Sequence, residues 1–356
     1  MQPLNLNDFE VFARDKISES AYDYFRGGAD DEITLLENSS AYKNIFLKYR
    51  VLRDVSNVDT SASFLGIKLS MPVLIAPTAF HKLAHPEGEI AVSKAASSEG
   101  IIMILSTLSN SDMEDVVNEN DKMVMFQLYV YKDREITREL IQRAESAGMK
   151  AIVLTVDTPY IGKREKDIRN RFTLPEHLSV KNLLPVSKDK FPVVDNSGLA
   201  GYVSSHLDPS LSWKDIDWIK SVSKLPLVIK GIGCSEDALL SVENGADGIV
   251  VSNHGGRQLD TCRATIDVLP EIAESVSDKI EILIDGGIRK GTDVIKALAL
   301  GAKAVLIGRP VIWGLAYDGE KGVKDVLNIL RNEITLAMAL CGVDKVKNIN
   351  NELIAK

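Results

Sequence analysis

The run Gly248-Ile249-Val250-Val251 breaks off into Ser252-Asn253-His254-Gly255-Gly256-Arg257-Gln258-Leu259-Asp260. A short, continuous, β-branched apolar run that stops at polar residues and glycines reads as a strand buried on both faces. His254 and Arg257 stand three residues apart with two glycines between them, so both can face one small volume above the strand end. The glycines remove side-chain bulk and let a planar ligand approach the backbone. Histidine exchanges a proton near neutral pH, and arginine offers a planar fork that grips a carboxylate through two hydrogen bonds. A proton acceptor beside a carboxylate clamp suits chemistry at the α-carbon of a small organic acid. Either residue alone would be ordinary, as a structural histidine or a surface ion pair. Their meeting at a buried strand end marks a site.

The same pattern recurs along the chain. Apolar runs at Pro72–Ala76, Ile101–Leu105, Met123–Phe126 and Ala151–Leu154 alternate with stretches of helical length at Gly88–Glu99, Asp112–Asn118 and Asp133–Ala147. After a longer segment rich in Pro, Lys and Ser, the alternation resumes. It continues through Pro226–Ile229, Ser235–Asn244, Ile249–Val251, Ala264–Ser275, Glu281–Ile284, Gly291–Leu300, Ala304–Ile307 and Val323–Leu340. Eight strand–helix units in unbroken succession predict an α/β fold, a (β/α)8 TIM barrel, over an open doubly wound sheet. No G-x-G-x-x-G opens an early helix, which weighs against dinucleotide binding. Residues 1–65 precede the barrel, which takes 66–356. They are expected to form an N-terminal helical extension covering the barrel floor, helical around Asn7 to Arg26 with Asn5 or Asn7 as a cap.

Active sites of such barrels lie at the C-terminal ends of the strands. Those ends are Pro77-Thr78-Ala79, Ser106, Gln127 with Tyr129, Thr155 with Asp157, Lys230, Ser252 with His254, Asp285-Gly286-Gly287, and Gly308-Arg309. Nearly every apolar run therefore stops at a hydrogen-bonding or charged group, and together these groups would ring the mouth. Asp285-Gly286-Gly287-Ile288-Arg289 and Gly308-Arg309 follow the seventh and eighth strands, where glycine-rich turns expose N–H groups to a phosphate. Lys230 ends an apolar strand and must find an anion, because an unpaired buried charge is costly.

Composition bounds the remaining choices. The chain has 356 residues, 45% of them hydrophobic, with a net charge of −8, which argues against nucleic acid as a partner. Cys234, Cys262 and Cys341 are too few and too scattered for a disulfide framework or a zinc ribbon, and no metal site is expected. No run of 18 apolar residues occurs, so no membrane partner is expected. The start, Met1–Asn5, lacks a secretory pattern, and the end, Glu352–Lys356, is not a Ser-Lys-Leu address. The expectation is a cytoplasmic protein.

With these residues in hand, the chain resembles the FMN-dependent α-hydroxy-acid oxidase and dehydrogenase family, which includes glycolate oxidase and lactate oxidase. The likeness runs over essentially the whole chain. It is carried by Tyr22-Asp23-Tyr24 with Ala29-Asp30-Asp31-Glu32, Ala76-Pro77-Thr78-Ala79, Phe126-Gln127-Leu128-Tyr129 and Thr155-Val156-Asp157-Thr158-Pro159. Arg169-Asn170-Arg171-Phe172, the nine residues Ser252–Asp260 and Asp285–Arg289 complete it.

The resemblance implies a non-covalent FMN across the barrel mouth. Pro77, Thr78 and Ala79 would line the flavin, Ser106, Gln127 and Thr155 would bond its ring, and Lys230 would sit against N1 and O2. Ser252 falls in the same cofactor-binding set, and Asp285, Gly286, Gly287, Ile288, Arg289, Gly308 and Arg309 would hold the phosphate. Tyr24, Arg164 and Arg257 would clamp the substrate carboxylate, with Tyr129 on the hydroxyl. His254 would take the hydroxyl proton as hydride leaves, or the α-proton in a carbanion scheme, and Asp157 would orient it.

The implied reaction turns a small (S)-2-hydroxy acid into the 2-oxo acid, with O2 reduced to H2O2. A dehydrogenase using another acceptor is the alternative. A flavin-dependent isomerase would leave the Arg257 clamp without a purpose. Leu108 stands where glycolate-preferring relatives tend to carry a bulky aromatic, so lactate or a longer aliphatic acid is expected. A homotetramer or octamer is expected, and the irregular stretch from Lys166 to Ser205 is expected to close over the substrate.

Overall fold

A computed structural model describes residues 2–121, 123–183, 205–276 and 278–355. The strands expected from the apolar runs form one closed parallel barrel in the order β10-β3-β4-β5-β6-β7-β8-β9. They are β3 (Val73–Ile75), β4 (Met103–Ser106), β5 (Val124–Leu128), β6 (Ile152–Thr155), β7 (Leu227–Ile232), β8 (Gly248–Val251), β9 (Glu281–Ile284) and β10 (Ala304–Ile307). The helices following the successive strands are α4 (Gly88–Ser98), α5 (Met113–Asn118), α6 (Arg134–Ser146), α8 (Ile216–Val222), α9 (Ser235–Glu243), α10 (Thr265–Val276), α11 (Gly291–Ala299) and α12 (Arg309–Leu340). A short α7 (Glu165–Arg169) lies in the loop after β6.

Successive side chains of a strand point to opposite faces, and the packing follows that rule strand by strand. Leu74, Ile104, Met125, Val153, Val228, Val250, Leu283 and Leu306, one from each strand, fill the barrel interior. Their neighbours, such as Val73, Ile75, Ile249 and Val251, belong to the separate core between barrel and helices. Two positions further along each strand lie Ala76, Ser106, Gln127, Thr155, Lys230, Ser252, Asp285 and Gly308. An apolar layer thus supports a mostly polar one at the mouth.

The floor is closed by the hairpin β1 (Ala62–Phe64) and β2 (Ile67–Leu69). Phe64 is fully buried against the start of β8 at Gly248, and the Leu65 N–H donates to Glu281 at the start of β9. The N-terminal helices do not pack there, contrary to the sequence expectation. The stretch expected to be helical, Asn7–Arg26, forms two helices, α1 (Leu6–Arg14), capped by Asn5, and α2 (Glu19–Arg26), capped by Ser18. α1 lies along α12, while α2 and the chain after it rise over the mouth, where the Ala29 N–H donates to the Gly256 carbonyl (2.9 Å). The reason is electrostatic, since the carbonyls of Tyr24, Phe25 and Gly27 receive Arg257 and Arg309 from the barrel.

The last helix begins at Arg309, well before Val323, and its backbone is non-helical at Asp318 and Gly319. Of the stretch from Lys166 to Ser205 expected to close over the substrate, residues 184–204 lie outside the described residues. Among the described residues, no helix is long and apolar enough to cross a membrane.

Because Phe64 is the floor plug, Phe64→Ala should lower unfolding stability by about 3–5 kcal/mol, the usual cost of emptying a large aromatic site. Urea denaturation measures this. A loss within experimental error of zero would show that the hairpin is not needed to close the barrel.

Candidate active site

One cavity at the C-terminal ends of the strands collects nearly all the residues singled out in the sequence. Its wall carries Pro77, Thr78 and Ala79 after β3, Ser106 and Leu108 at β4, and Gln127 and Tyr129 at β5. Thr155 of β6, Lys230 of β7, and His254 and Arg257 after β8 continue the ring. Asp285 through Arg289 and then Gly308 and Arg309 close it, while Tyr24 of α2 and Arg164, just before α7, cover it. Asp157 and Ser252 do not line this cavity. Both stand behind the wall and hold residues that do.

Asp157 Oδ1 lies 2.7 Å from His254 Nδ1 and also accepts the Thr158 hydroxyl (3.0 Å). Burial alone would raise the Asp157 carboxyl, but His254 and Lys230 outweigh it and hold its pKa at about 2. Asp157 is therefore ionised at neutral pH. Burial pushes His254 below its ordinary value, with Asp157 opposing and Lys230 and Arg164 assisting the shift. A neutral histidine that donates Nδ1–H to Asp157 keeps a lone pair on Nε2.

The His254 backbone is left-handed (φ 56°), an uncommon conformation for a non-glycine residue. It is fixed by the Asp157 contact and by its own N–H, which donates to Ser252 Oγ (3.1 Å). Asp157 itself fits because residue 231 is glycine. Gly231 sits at a register shift between β7 and β8 with φ +113°, and a Cβ there would come within 2.7 Å of Asp157 Cβ.

Lys230 donates to Ser252 Oγ (2.9 Å) and pairs with Asp285 Oδ2 (3.3 Å). Burial would lower its pKa, yet Asp285 and Asp157 keep it raised. The arginines are placed differently. Arg257 spans the Tyr24 and Gly27 carbonyls through Nη1 and packs over the Tyr24 ring at 5.0 Å. Arg164 is buried, contacts the Arg257 carbonyl and Gln258, and has its pKa lowered to about 10 by burial and by Arg257. It stays charged at neutral pH. The two guanidiniums have no carboxylate within 4.0 Å among the described residues.

Tyr129 is pushed up to about 12, by burial first and then by Asp157, so it remains a phenol that can donate. Burial likewise raises Tyr24, whose ring stacks on Phe172 at 4.4 Å.

Arg309 lines the cavity, but its three nitrogens donate to the carbonyls of Phe25, Gly27 and Gly255. Arg289 gives Nη1 to the Ile288 carbonyl. Burial lowers both, Arg309 well below the ordinary value because Arg257, Arg289 and Arg26 add like charge. The N-terminus of α12 opens beside them with no side-chain cap, and Gly308 faces the cavity.

Sequence reading missed the part of α3 (Ile33–Ser40). Its N-terminus has no cap of its own, and the two Asp260 oxygens accept from Ile33 N (3.3 Å) and Thr34 N (2.8 Å). Farther along, Asn38 and Asn253 exchange amide hydrogen bonds of 2.8 Å. At Gly256 (φ +72°) a Cβ would fall 2.6 Å from the Leu35 backbone. Helix α3 is thus a wedge against the loop after β8. No local signal ties Asp260 to residues more than two hundred positions away. Phe25, Thr158 and Ile161 also line the cavity without having been singled out.

The fold and site define a flavin-type α/β barrel, and the comparisons identify it. Residues 13–356 match the FMN-dependent dehydrogenase family, and the chain belongs to that family. It is 49% identical to the glycolate oxidase of Spinacia oleracea, covering 100% of this chain and 96% of that protein. It is 50% identical to 2-hydroxyacid oxidase 1 of Homo sapiens, covering 99% and 96%. A crystal structure of mandelate oxidase with (S)-4-hydroxymandelic acid superposes with a TM-score of 0.93 at 40% identity, covering 99% and 98%.

The cavity suits the family's cofactor. Buried Gln127 Nε2, Thr155 Oγ1 and Asp285 Oδ1 have no partner within the protein, as expected of atoms reserved for a polar ring. The cluster of Lys230, Arg289 and Arg309 beside an uncapped helix N-terminus suits a phosphate.

If the α3 wedge holds the site, Asp260→Ala should cost about 0.5–2 kcal/mol of stability, the range for losing a helix cap. It should also weaken FMN retention, read from flavin release on dialysis. Unchanged stability and retention would show that the cap is dispensable.

Proposed function

We propose that the protein binds FMN in this cavity and oxidises a small aliphatic (S)-2-hydroxy acid to the 2-oxo acid, with dioxygen as acceptor. The observation that carries this reading is the 2.7 Å His254–Asp157 pair set beside the Arg164 and Arg257 guanidiniums. Pro77, Thr78 and Ala79 border the cofactor, Ser106, Gln127 and Thr155 bond its ring, and Lys230 supplies positive charge. Gly286, Gly287, Ile288, Arg289, Gly308 and Arg309 surround its phosphate, and Ser252 acts indirectly by holding Lys230. Bound there, FMN supplies the two-electron acceptor that no side chain of the cavity provides.

The residues divide the remaining work. Arg257, Arg164 and Tyr24 grip the carboxylate and fix the hydroxyl-bearing carbon. Tyr129 donates to the substrate oxygen as a protonated phenol. Nε2 of neutral His254 takes the hydroxyl proton, and ionised Asp157 stabilises the imidazolium that results. Overall the acid loses two protons, one from the hydroxyl and one from the α-carbon, together with two electrons, and these reduce dioxygen to hydrogen peroxide. Anaerobic bleaching of the yellow protein by (S)-lactate, followed by one peroxide per turnover in air, tests the reading.

Two further assignments rest on less. The three cysteines are all unpaired, which supports a reducing, cytoplasmic setting. Tyr49, Val51 and Leu52 are exposed on the segment whose Arg50 and Arg53 approach Gly342 just beyond α12, and Leu336 and Leu340 are exposed on α12 itself, apolar surface that a homotetramer or octamer would cover.

His254→Ala should retain FMN and lose about 10²–10⁴-fold in kcat, the usual worth of a general base. In the wild type, kcat/KM should fall with decreasing pH as His254 protonates. Because its pKa is lowered from 6.5, that acid limb should lie below the ordinary histidine range. A variant that folds but cannot hold FMN would make His254 structural instead.

Leu108 lines the cavity and is 6% exposed. If it borders the substrate's C3, the enzyme should prefer (S)-lactate or (S)-2-hydroxybutanoate to glycolate. Leu108→Trp should narrow that preference by about tenfold to two-hundredfold in kcat/KM, since a methyl group is worth roughly 1–3 kcal/mol in such a pocket. An unchanged ratio would show that the side chain points elsewhere.

A further inference from the structure

A second cavity of about 270 Å³ meets the first at a common wall made by Tyr129, Thr155 and Thr158. It lies outside the barrel, between the ends of β5, β6 and β7 and the chain running from Leu207 to Ile216. Apart from the shared wall its surface is mostly apolar, with Val130, Leu154, Val156, Leu211, Trp213 and Ile232 prominent. Two carboxylates reach it, and both are engaged, Asp208 with Arg134 (2.7 Å) and Asp237 with the Cys234 thiol (3.4 Å). Nothing in the mechanism above uses this space.

We propose that this cavity is an antechamber for dioxygen, which reaches the active site through the Tyr129–Thr155–Thr158 wall instead of the charged mouth. The inference rests on the oxidase reading of the site and adds to it a route for the second substrate. Apolar cavities hold small apolar molecules such as xenon, and dioxygen is of that kind. The mouth suits the other substrate, being lined by Arg164, Arg257 and Tyr24, which would hold an acid or its product across it. An alkyl tail of a longer acid is a poorer occupant, because it would have to displace Tyr129 to pass the wall. A diatomic gas needs only a side-chain fluctuation.

The test combines occupancy with kinetics. Crystals of the holoenzyme pressurised with xenon should show xenon in this cavity, and Val156→Phe or Leu211→Trp should expel it. Both plugs should lower kcat/KM for dioxygen by about tenfold while leaving anaerobic bleaching by (S)-lactate within about twofold of wild type. Two plugs are used because one alone can fail to fold, and bound yellow flavin reports folding. Absence of xenon from the wild-type cavity, or an unchanged oxygen dependence in a folded plugged variant, would overturn the proposal. So would a selective loss of bleaching by long-chain acids, which would make the cavity a tail pocket. If the wild type releases no peroxide, the oxidase reading itself fails, a result separable from xenon occupancy.

Discussion

The pleat of the strands sets everything at the mouth. Each strand gives one apolar side chain to the barrel interior, and the next residue on the same face, two positions on, stands roughly 6.6 Å higher along the strand. Below are Leu74, Ile104, Met125, Val153, Val228, Val250, Leu283 and Leu306; above are Ala76, Ser106, Gln127, Thr155, Lys230, Ser252, Asp285 and Gly308. The registers agree with this layering, pairing Ser106 with Gln127 and Thr155 with Lys230 across neighbouring strands. A one-residue slip in a strand such as β6 or β7 would turn its polar group, Thr155 or Lys230, into the helix layer. The dry lower layer also keeps the upper one at low dielectric, which strengthens the Lys230–Asp285 and His254–Asp157 contacts.

The second constraint is charge. Arg164, Arg257, Arg289 and Arg309 surround one cavity, and among the described residues none has a carboxylate within 4.0 Å. Buried charge without a partner is expensive, so the protein brings carbonyls to it. Tyr24, Phe25 and Gly27 of the N-terminal segment receive four of the bonds from Arg257 and Arg309. Carbonyls offset part of the cost and leave a net positive cavity. Such a site is pre-organised for two anions, a phosphate and a carboxylate, without having to break ion pairs to admit them.

That arrangement explains what could be read from the chain and what could not. Strand ends, helix spans and the polar ring follow from period-two and helical patterns, which are local properties of the sequence. Asp157 and Ser252 carry the right chemistry at the right ends, but whether such a residue lines a cavity or stands behind it depends on backbone detail such as the Gly231 bulge. The N-terminal helices were legible as helices, yet not in their placement. Their position follows from arginines more than two hundred residues away, and amphipathic patterning gives a helix a buried face without saying against what.

The α3 wedge extends the same point to the chemistry. Three consecutive left-handed residues, His254, Gly255 and Gly256, turn the loop after β8 sharply enough to aim the imidazole at Asp157. Left-handed backbone at a histidine costs on the order of 1–2 kcal/mol and persists only where the surroundings dictate it. The surroundings here are Asn38 on Asn253, Leu35 against Gly256, and Asp260 capping α3 in return. Loop and helix therefore hold each other, and neither conformation is stable on local grounds alone. The nine-residue stretch that marks the site in the sequence serves two ends, with His254 and Arg257 facing the cavity and Asn253, Gly256 and Asp260 facing the helix that keeps them there.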